Sequence, residues 1–192
     1  RSLDSRGRPV VSTQECLGVV YILRHPEDVV VSLSHFFSWS LQQCVDFLLD
    51  PKAALVPTEF RGGQQVRQHM GRWDQHLTSW VDQQQLPFLT IRYEDMLANG
   101  LATFSQLAEF LGLPSDPQLI EQAIENTSID RLKKLEDEVD GFAEKPTGCD
   151  RFFRSGRSGE GAEQLSLQQR KQLAEGLADA MARYNYEGPS VD

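Results

Sequence analysis

The chain has 192 residues, 40% of them hydrophobic and 24% charged, with a net charge of -9. That is enough apolar chain for one domain with a sizeable core, and no run is long enough to span a membrane. The acidic balance argues against broad nucleic-acid binding, and an anionic ligand would need a local basic cluster to overcome it.

Residues 1–17 read as a loop leading to the first strand, with Gly7-Arg8-Pro9 as a turn signal. No charged-then-apolar leader opens the chain, so a secretory route is not expected. Gly18 to Leu23 is a short apolar, β-branched run of the kind buried in parallel sheets, and Arg24 ends it. Pro26 suits the first turn of a helix, and Glu27 and Asp28 suit its positive end. Val29, Leu33, Phe36 and Phe37 form the expected buried stripe of that helix. Residues 51–63 read as a loop, and residues 64–84 as a helix in which Val66, Met70, Trp73, Leu77, Trp80 and Val81 recur on one side.

Pro87 to Tyr93 is the second buried strand, with Tyr93 at its end. A helix through Phe104, Leu107, Phe110 and Leu111 follows and stops at Gly112. Asp116 is placed to cap a helix reaching about Asn126, and Thr127-Ser128 to cap the next, which holds Ile129, Leu132 and Leu135. Residues 136–152 are charged and broken by Gly141, Pro146 and Gly148, which predicts a mobile loop. A last amphipathic helix runs from Ser166 past Met181. Strands separated by helices give an α/β parallel-sheet reading. Two strands are too few for such a sheet, so the chain is expected to be the later part of a larger fold.

Arg24 and Ser32 place a cation at the carboxyl end of a strand and a hydroxyl two turns into the next helix. An anion, above all a phosphate, fits between them, because arginine can hold it bidentately and serine adds a neutral donor. A strand-end ion pair and an ordinary helix serine fit the same residues. Arg154-Ser155-Gly156-Arg157-Ser158-Gly159 is basic and glycine-rich, which suits a loop whose N–H groups turn toward one anion, or an exposed turn. It lacks the GxxxxGK[ST] spacing. Tyr93 suits stacking on a base or a place in the core, and Glu94-Asp95 suits a helix cap. His69 and His76 share a face of the expected helix, without a third ligand at metal spacing, and His35 reads as polar flank. No GxSxG elbow is present. Cys16, Cys44 and Cys149 form no CxxC pair, so structural thiols in a reducing, cytoplasmic setting are expected.

Taken in order, these runs resemble the sulfotransferases that use 3′-phosphoadenosine 5′-phosphosulfate. Residues 21–37 resemble that family's second nucleotide-binding segment. Tyr93-Glu94-Asp95-Met96 is similar to its Tyr-Glu-Asp-Met segment, Asn126-Thr127-Ser128 to its Thr-Ser-Phe segment, and Phe153-Arg154-Ser155-Gly156 to its Phe-x-Arg-Lys-Gly segment. The resemblance covers nearly the whole chain as the carboxy-terminal portion of a single sulfotransferase domain, residues 1–192. It implies a P-loop-NTPase-like parallel sheet flanked by helices, here a partial domain. It also implies that Arg24 and Ser32 hold the 3′-phosphate, that Tyr93, Thr127 and Ser128 approach the adenine, and that Arg154, Ser155 and Gly156 wrap the 3′-phosphate.

Departures are plain. Ser155 stands where the family usually has Lys, Ile129 where it has an aromatic, and Gly159-Glu160-Gly161-Ala162 where it has Gly-Asp-Trp-Lys. The amino-terminal phosphosulfate loop and the Lys-x-His segment are not in the sequence, so catalytic residues are expected upstream of Arg1. The implied reaction moves a sulfuryl group to an acceptor hydroxyl or amine, small or carrier-bound, and leaves adenosine 3′,5′-bisphosphate. The chain alone is expected to be inactive. A truncated or degenerate relative serving as a nucleotide-binding or interaction module is the alternative. A nucleoside-type kinase is a third reading, which the ordered runs disfavour.

Overall fold

The computed structural model describes residues 16–55, 59–60, 63–64, 68–82, 86–138 and 151–189. Strand β1 (Val19–Leu23) is followed by helices α1 (Pro26–Phe37) and α2 (Leu41–Leu49). Four two-residue strands come next: β2 (Ala54–Leu55), β3 (Glu59–Phe60), β4 (Gly63–Gln64) and β5 (Gln68–His69). Helix α3 (Trp73–Val81) leads to strand β6 (Phe88–Arg92), then α4 (Tyr93–Ala98) and α5 (Gly100–Phe110). The remaining helices are α6 (Pro117–Asn126), α7 (Ile129–Glu138), α8 (Glu160–Gln164), α9 (Leu167–Gly176) and α10 (Ala178–Arg183). Among the described residues, no helix is long and apolar enough to cross a membrane.

The two predicted strands pair in parallel, from Val19 opposite Phe88 to Leu23 opposite Arg92. A parallel pair needs a long crossover, and α1 to α3 supply it. Gly18 is needed at the start of β1, because a Cβ there would lie 2.9 Å from Phe110 Cζ. The core joins Leu23 to Val30 and Val31 of α1, Cys44, Val45 and Leu48 of α2, Leu77 of α3, and Leu165, Leu173, Leu177 and Met181. Burial pushes the Cys44 thiol up to about 11, so it acts as a small apolar group.

Several helix ends follow the sequence chemistry. The Asp116 carboxylate accepts from the Gln118 N–H at 2.8 Å and caps α6. Gly112 ends the α5 region at φ +69°. Ser40 and Gln43 form a capping box on α2, and Ser166 and Gln169 form one on α9.

Other expectations need correction. On α1 the fully buried residues are Pro26, Glu27, Asp28, Val30 and Val31, while Val29, Leu33, Phe36 and Phe37 are only partly buried. The helix is in contact with α2, α8 and α9, so a single apolar stripe underestimates its contact surface. The helix expected over residues 64–84 is confined to Trp73–Val81. Gly71 at φ +65° and extended Arg72 hold off its start, while Gln68–His69 pairs with Ala54–Leu55 inside what reads as loop. His69 and His76 therefore share no helix face. The predicted terminal helix is two, broken at Leu177. The Arg72 guanidinium donates to the Gly176 carbonyl, withdrawing that acceptor from the helical ladder. Residues 136–138 of the expected loop belong to α7, and residues 139–150, like residues 1–15, lie outside the described set.

Candidate functional site

The β1–β6 register decides which residues meet at the carboxyl edge. Because Leu23 faces Arg92, the next residues, Arg24 and Tyr93, emerge side by side. The Arg24 guanidinium lies 4.5 Å from the centre of the Tyr93 ring, in cation–π contact. Tyr93 is not a strand end: Arg92 is the last extended residue, and Tyr93 opens α4. Arg24 donates to the Arg157 carbonyl at 2.9 Å and lies 3.7 Å from the Asp28 carboxylate. Its buried Nε–H has no acceptor among the described residues.

Helix α1 starts at His25, whose Nδ1 accepts the Glu27 N–H at 3.2 Å. Its Nε2 lies 3.1 Å from the Glu187 carbonyl, which assigns the ring proton to Nε2. Asp28 is one turn into α1, and Ser32 is one further turn along the same face, exposed. The two Asp28 oxygens accept the N–H groups of Gly159 and Gly161, each at 2.8 Å. Gly161 presses so closely on α1 that a Cβ would lie 2.5 Å from the Glu27 carbonyl carbon. Glu27 in turn pairs with Arg170 of α9 at 2.9 Å. Asp28 and Arg24 thus fasten the glycine-rich segment to the strand end.

Within that segment, Arg154 grips buried Glu160 with a two-pronged fork, one prong at 2.8 Å. The Ser155 hydroxyl donates to the same carboxylate at 2.8 Å. Arg154 above all holds the Glu160 carboxyl down at about 2. Arg157 reaches Glu160 and Glu163 only at 3.4 and 3.3 Å. Gly156, at φ +64°, abuts the start of α7, where a Cβ would come within 2.9 Å of Ile129 Cγ1. This brings the loop beside Thr127 and Ser128. The Thr127 hydroxyl turns back to the Ala123 carbonyl at 2.8 Å, closing α6, and the Ser128 carbonyl accepts the Leu132 N–H at 3.0 Å, starting α7. The backbone N–H groups of Phe152 and Phe153 donate to Glu136 of α7 at 2.7 and 3.0 Å.

A second cluster braces the strand ends from behind. Glu94 accepts the His25 N–H and the Tyr186 hydroxyl, each at 2.9 Å, so it links α1 to residue 186 as well as lying in the first turn of α4. Arg92 lies 4.5 Å from the Tyr186 ring centre, and burial, with Glu94 close by, pushes the Tyr186 phenol up. In the crossover, Tyr21 and His76 Nδ1 are 2.7 Å apart.

The structure therefore draws Arg24, Tyr93, Arg154, Ser155 and Gly156 into one connected network, with Ser32 on the adjoining helix face. It sets Thr127 and Ser128 at the neighbouring helix junction. Asp28 and Glu160, which organise the network, carry a weaker sequence signal. Asp28 is four residues after Arg24, an ion-pair spacing, and Glu160 lies between two glycines. Among the described residues, no group of His, Cys, Asp and Glu has the arrangement of a metal site.

A mouse sulfotransferase solved in complex with PAP superposes with a TM-score of 0.68 at 20% identity, covering 94% of this chain and 64% of the other. A retinol dehydratase solved with androsterone and PAP superposes at 0.65 and 19% identity, covering 93% and 51%. These likenesses establish the fold. Flavonol 3-sulfotransferase of Flaveria bidentis is 29% identical over 153 residues, 74% of this chain and 47% of its own length. Sulfotransferase 2A2 of Rattus norvegicus is 26% identical over 117 residues, 60% of this chain and 39% of its own. The chain thus spans less than half the length of these relatives. The sulfotransferase domain pattern matches residues 9–185, and with the parallel strands, the strand-end arginine and the glycine-rich loop in place, the chain belongs to the sulfotransferase domain family.

Proposed function

We propose that this chain forms the 3′-phosphate and adenine half of a sulfotransferase nucleotide site. The donor is 3′-phosphoadenosine 5′-phosphosulfate, and the acceptor is a hydroxyl or amine on a small or carrier-bound molecule. The carrying observation is the convergence of two basic segments, with Arg24 at the end of β1 bonded to the Arg157 carbonyl of the glycine-rich loop. The buried Nε–H of Arg24, which has no acceptor among the described residues, fits an anion held there. Two relatives solved with PAP and a flavonol sulfotransferase support the reading.

In this reading Arg24, Ser32, Arg154, Ser155 and Gly156 hold the 3′-phosphate, and Tyr93, Thr127 and Ser128 flank the adenine. When bound, the donor supplies the sulfuryl group. The chain's own residues bind and orient the nucleotide through its 3′-phosphate and its adenine. The sulfotransferase domain pattern over residues 9–185 supports reading the chain as one unit of that fold. A non-catalytic binding module is the second reading, favoured by the commitment of Ser155 and Arg154 to Glu160.

Calorimetric titration tests the proposal. Adenosine 3′,5′-bisphosphate is expected to bind much more tightly than ATP, and Arg24→Ala to weaken it at least tenfold, about 1.4 kcal/mol. Comparable ATP affinity would overturn the reading. Sulfate transfer to a phenol or steroid by the isolated chain would overturn its assignment to the nucleotide-binding half alone.

A further inference from the structure

The three arginines around the loop are not held alike. Arg154 is forked onto a carboxylate whose side chain is 2% exposed, and Ser155 donates its proton to the same group. Separating an arginine from such a buried partner is strongly unfavourable, because the charge left behind is uncompensated. These groups form the frame of the loop. Arg24 is fixed by Tyr93, Asp28 and the Arg157 carbonyl. Arg157 differs from both. Its side chain is 58% exposed, and its contacts to Glu160 and Glu163, at 3.4 and 3.3 Å, are longer than ordinary charge-assisted hydrogen bonds. Glu163 is itself 60% exposed, so that pair is easily given up.

Position completes the argument. The carbonyl of Arg157 receives the Arg24 guanidinium, so its backbone stands next to the strand-end arginine. Gly156, one residue earlier, leans on Ile129 in a left-handed conformation that only glycine adopts freely. The loop is thereby held in register while the Arg157 side chain projects outward.

We propose that Arg157 is a ligand-binding residue whose guanidinium leaves Glu163 to engage the 3′-phosphate of the bound nucleotide. The inference rests on the nucleotide reading above and adds a residue to it. It makes Arg157 the adjustable cation of the site, with Arg24 and Arg154 as the fixed ones, and Glu163 the anion that competes with the ligand.

The test is titration of the full chain with adenosine 3′,5′-bisphosphate and with adenosine 5′-phosphate. Arg157→Gln is expected to weaken the bisphosphate roughly tenfold and leave the monophosphate unchanged. Arg157→Lys should retain part of the difference, and Glu163→Gln should tighten the bisphosphate about two- to fivefold. Because Arg157 is exposed, the ligand-free variants should unfold at the native temperature, which separates binding from folding. Undiminished bisphosphate affinity in Arg157→Gln, with loss in Arg24→Ala, would overturn this inference alone. Equal weakening of both nucleotides would overturn the assignment to the 3′-phosphate. Absence of bisphosphate binding to the native chain would overturn the nucleotide reading and this inference with it.

Discussion

The guanidinium of Arg24 lies over the ring of Tyr93, 4.5 Å from its centre, at the adjoining ends of two parallel strands. A half-buried contact of this kind is worth about 0.5–2 kcal/mol. Tyr93→Phe keeps the aromatic face and is expected to leave thermal stability nearly unchanged. Tyr93→Leu removes it and is expected to cost about 1 kcal/mol. Paired urea denaturation curves check this, and equal curves for the Phe and Leu variants would refute a role for the ring face.

Gly161 and Gly159 are both bonded to Asp28 but should respond differently to a methyl group. At Gly161 an added Cβ overlaps the backbone of Glu27, so Gly161→Ala must force α8 from α1. We expect a loss of about 3 kcal/mol or more, the upper range for overpacking. At Gly159 there is open space, but φ is +86°, so Gly159→Ala is expected to cost only about 1–2 kcal/mol of backbone strain. Denaturation midpoints read the order, and a Gly159→Ala loss exceeding that of Gly161→Ala would contradict the packing.

Glu160 ties its loop to pH. Hydrogen bonding from Arg154 lowers its carboxyl from 4.5 to about 2. A depressed carboxyl gives stability that is complete above its unfolded value and is lost as pH falls toward the folded one. That stabilisation is on the order of 3 kcal/mol at neutral pH and should vanish between about pH 4.5 and 2. Glu160→Gln should be less stable at neutral pH and show a flatter acid limb. An unchanged acid limb would count against the assignment.

His76 has the same sign of pH dependence for a different reason. Burial lowers its imidazole below the ordinary 6.5, so the ring stays neutral and its Nδ1 can accept the Tyr21 hydroxyl at 2.7 Å. The unfolded chain takes up a proton that the folded chain resists, so stability declines as pH falls below 6.5. Tyr21→Phe removes the donor to a buried nitrogen and should cost about 1–3 kcal/mol. Thermal melts at about pH 7.5 and 5.5 should show a smaller drop for His76→Leu than for the native chain.

The elements that sequence reasoning located are those whose local chemistry agrees with their tertiary setting. Gly18 to Leu23 and Pro87 to Arg92 are short, mostly apolar runs that do pair in parallel, although β1 is less buried than its composition suggests, with Ile22 exposed and Leu23 alone fully buried. Pro26 and Gly112 mark helix boundaries through backbone constraints, and Asp116 does so through a local cap on the Gln118 N–H. The helix expected from Gln64 failed where Gly71 and the pairing of Gln68–His69 with Ala54–Leu55 overrode its periodicity. The kink at Leu177 depends on Arg72, 104 residues before Gly176, donating to the Gly176 carbonyl. At the candidate site, Arg24 and Arg154 are legible as cations near turns. Glu160 is not, because an acidic residue between glycines resembles any exposed turn until the fold buries it.

The grip of Asp28 on Gly159 and Gly161 joins residues 131 and 133 apart in sequence. Closing so long a loop carries an entropic cost that local helices do not meet. The docking of the glycine-rich loop on α1 is therefore expected to come late, after α1 has formed and after the intervening chain has collapsed. A newly made chain can have most of its helices and still lack the site proposed to recognise a nucleotide. In pulse-labelled refolding, the Gly161 amide should gain protection after those within α1, which sets the docking of the loop apart from the formation of the helices.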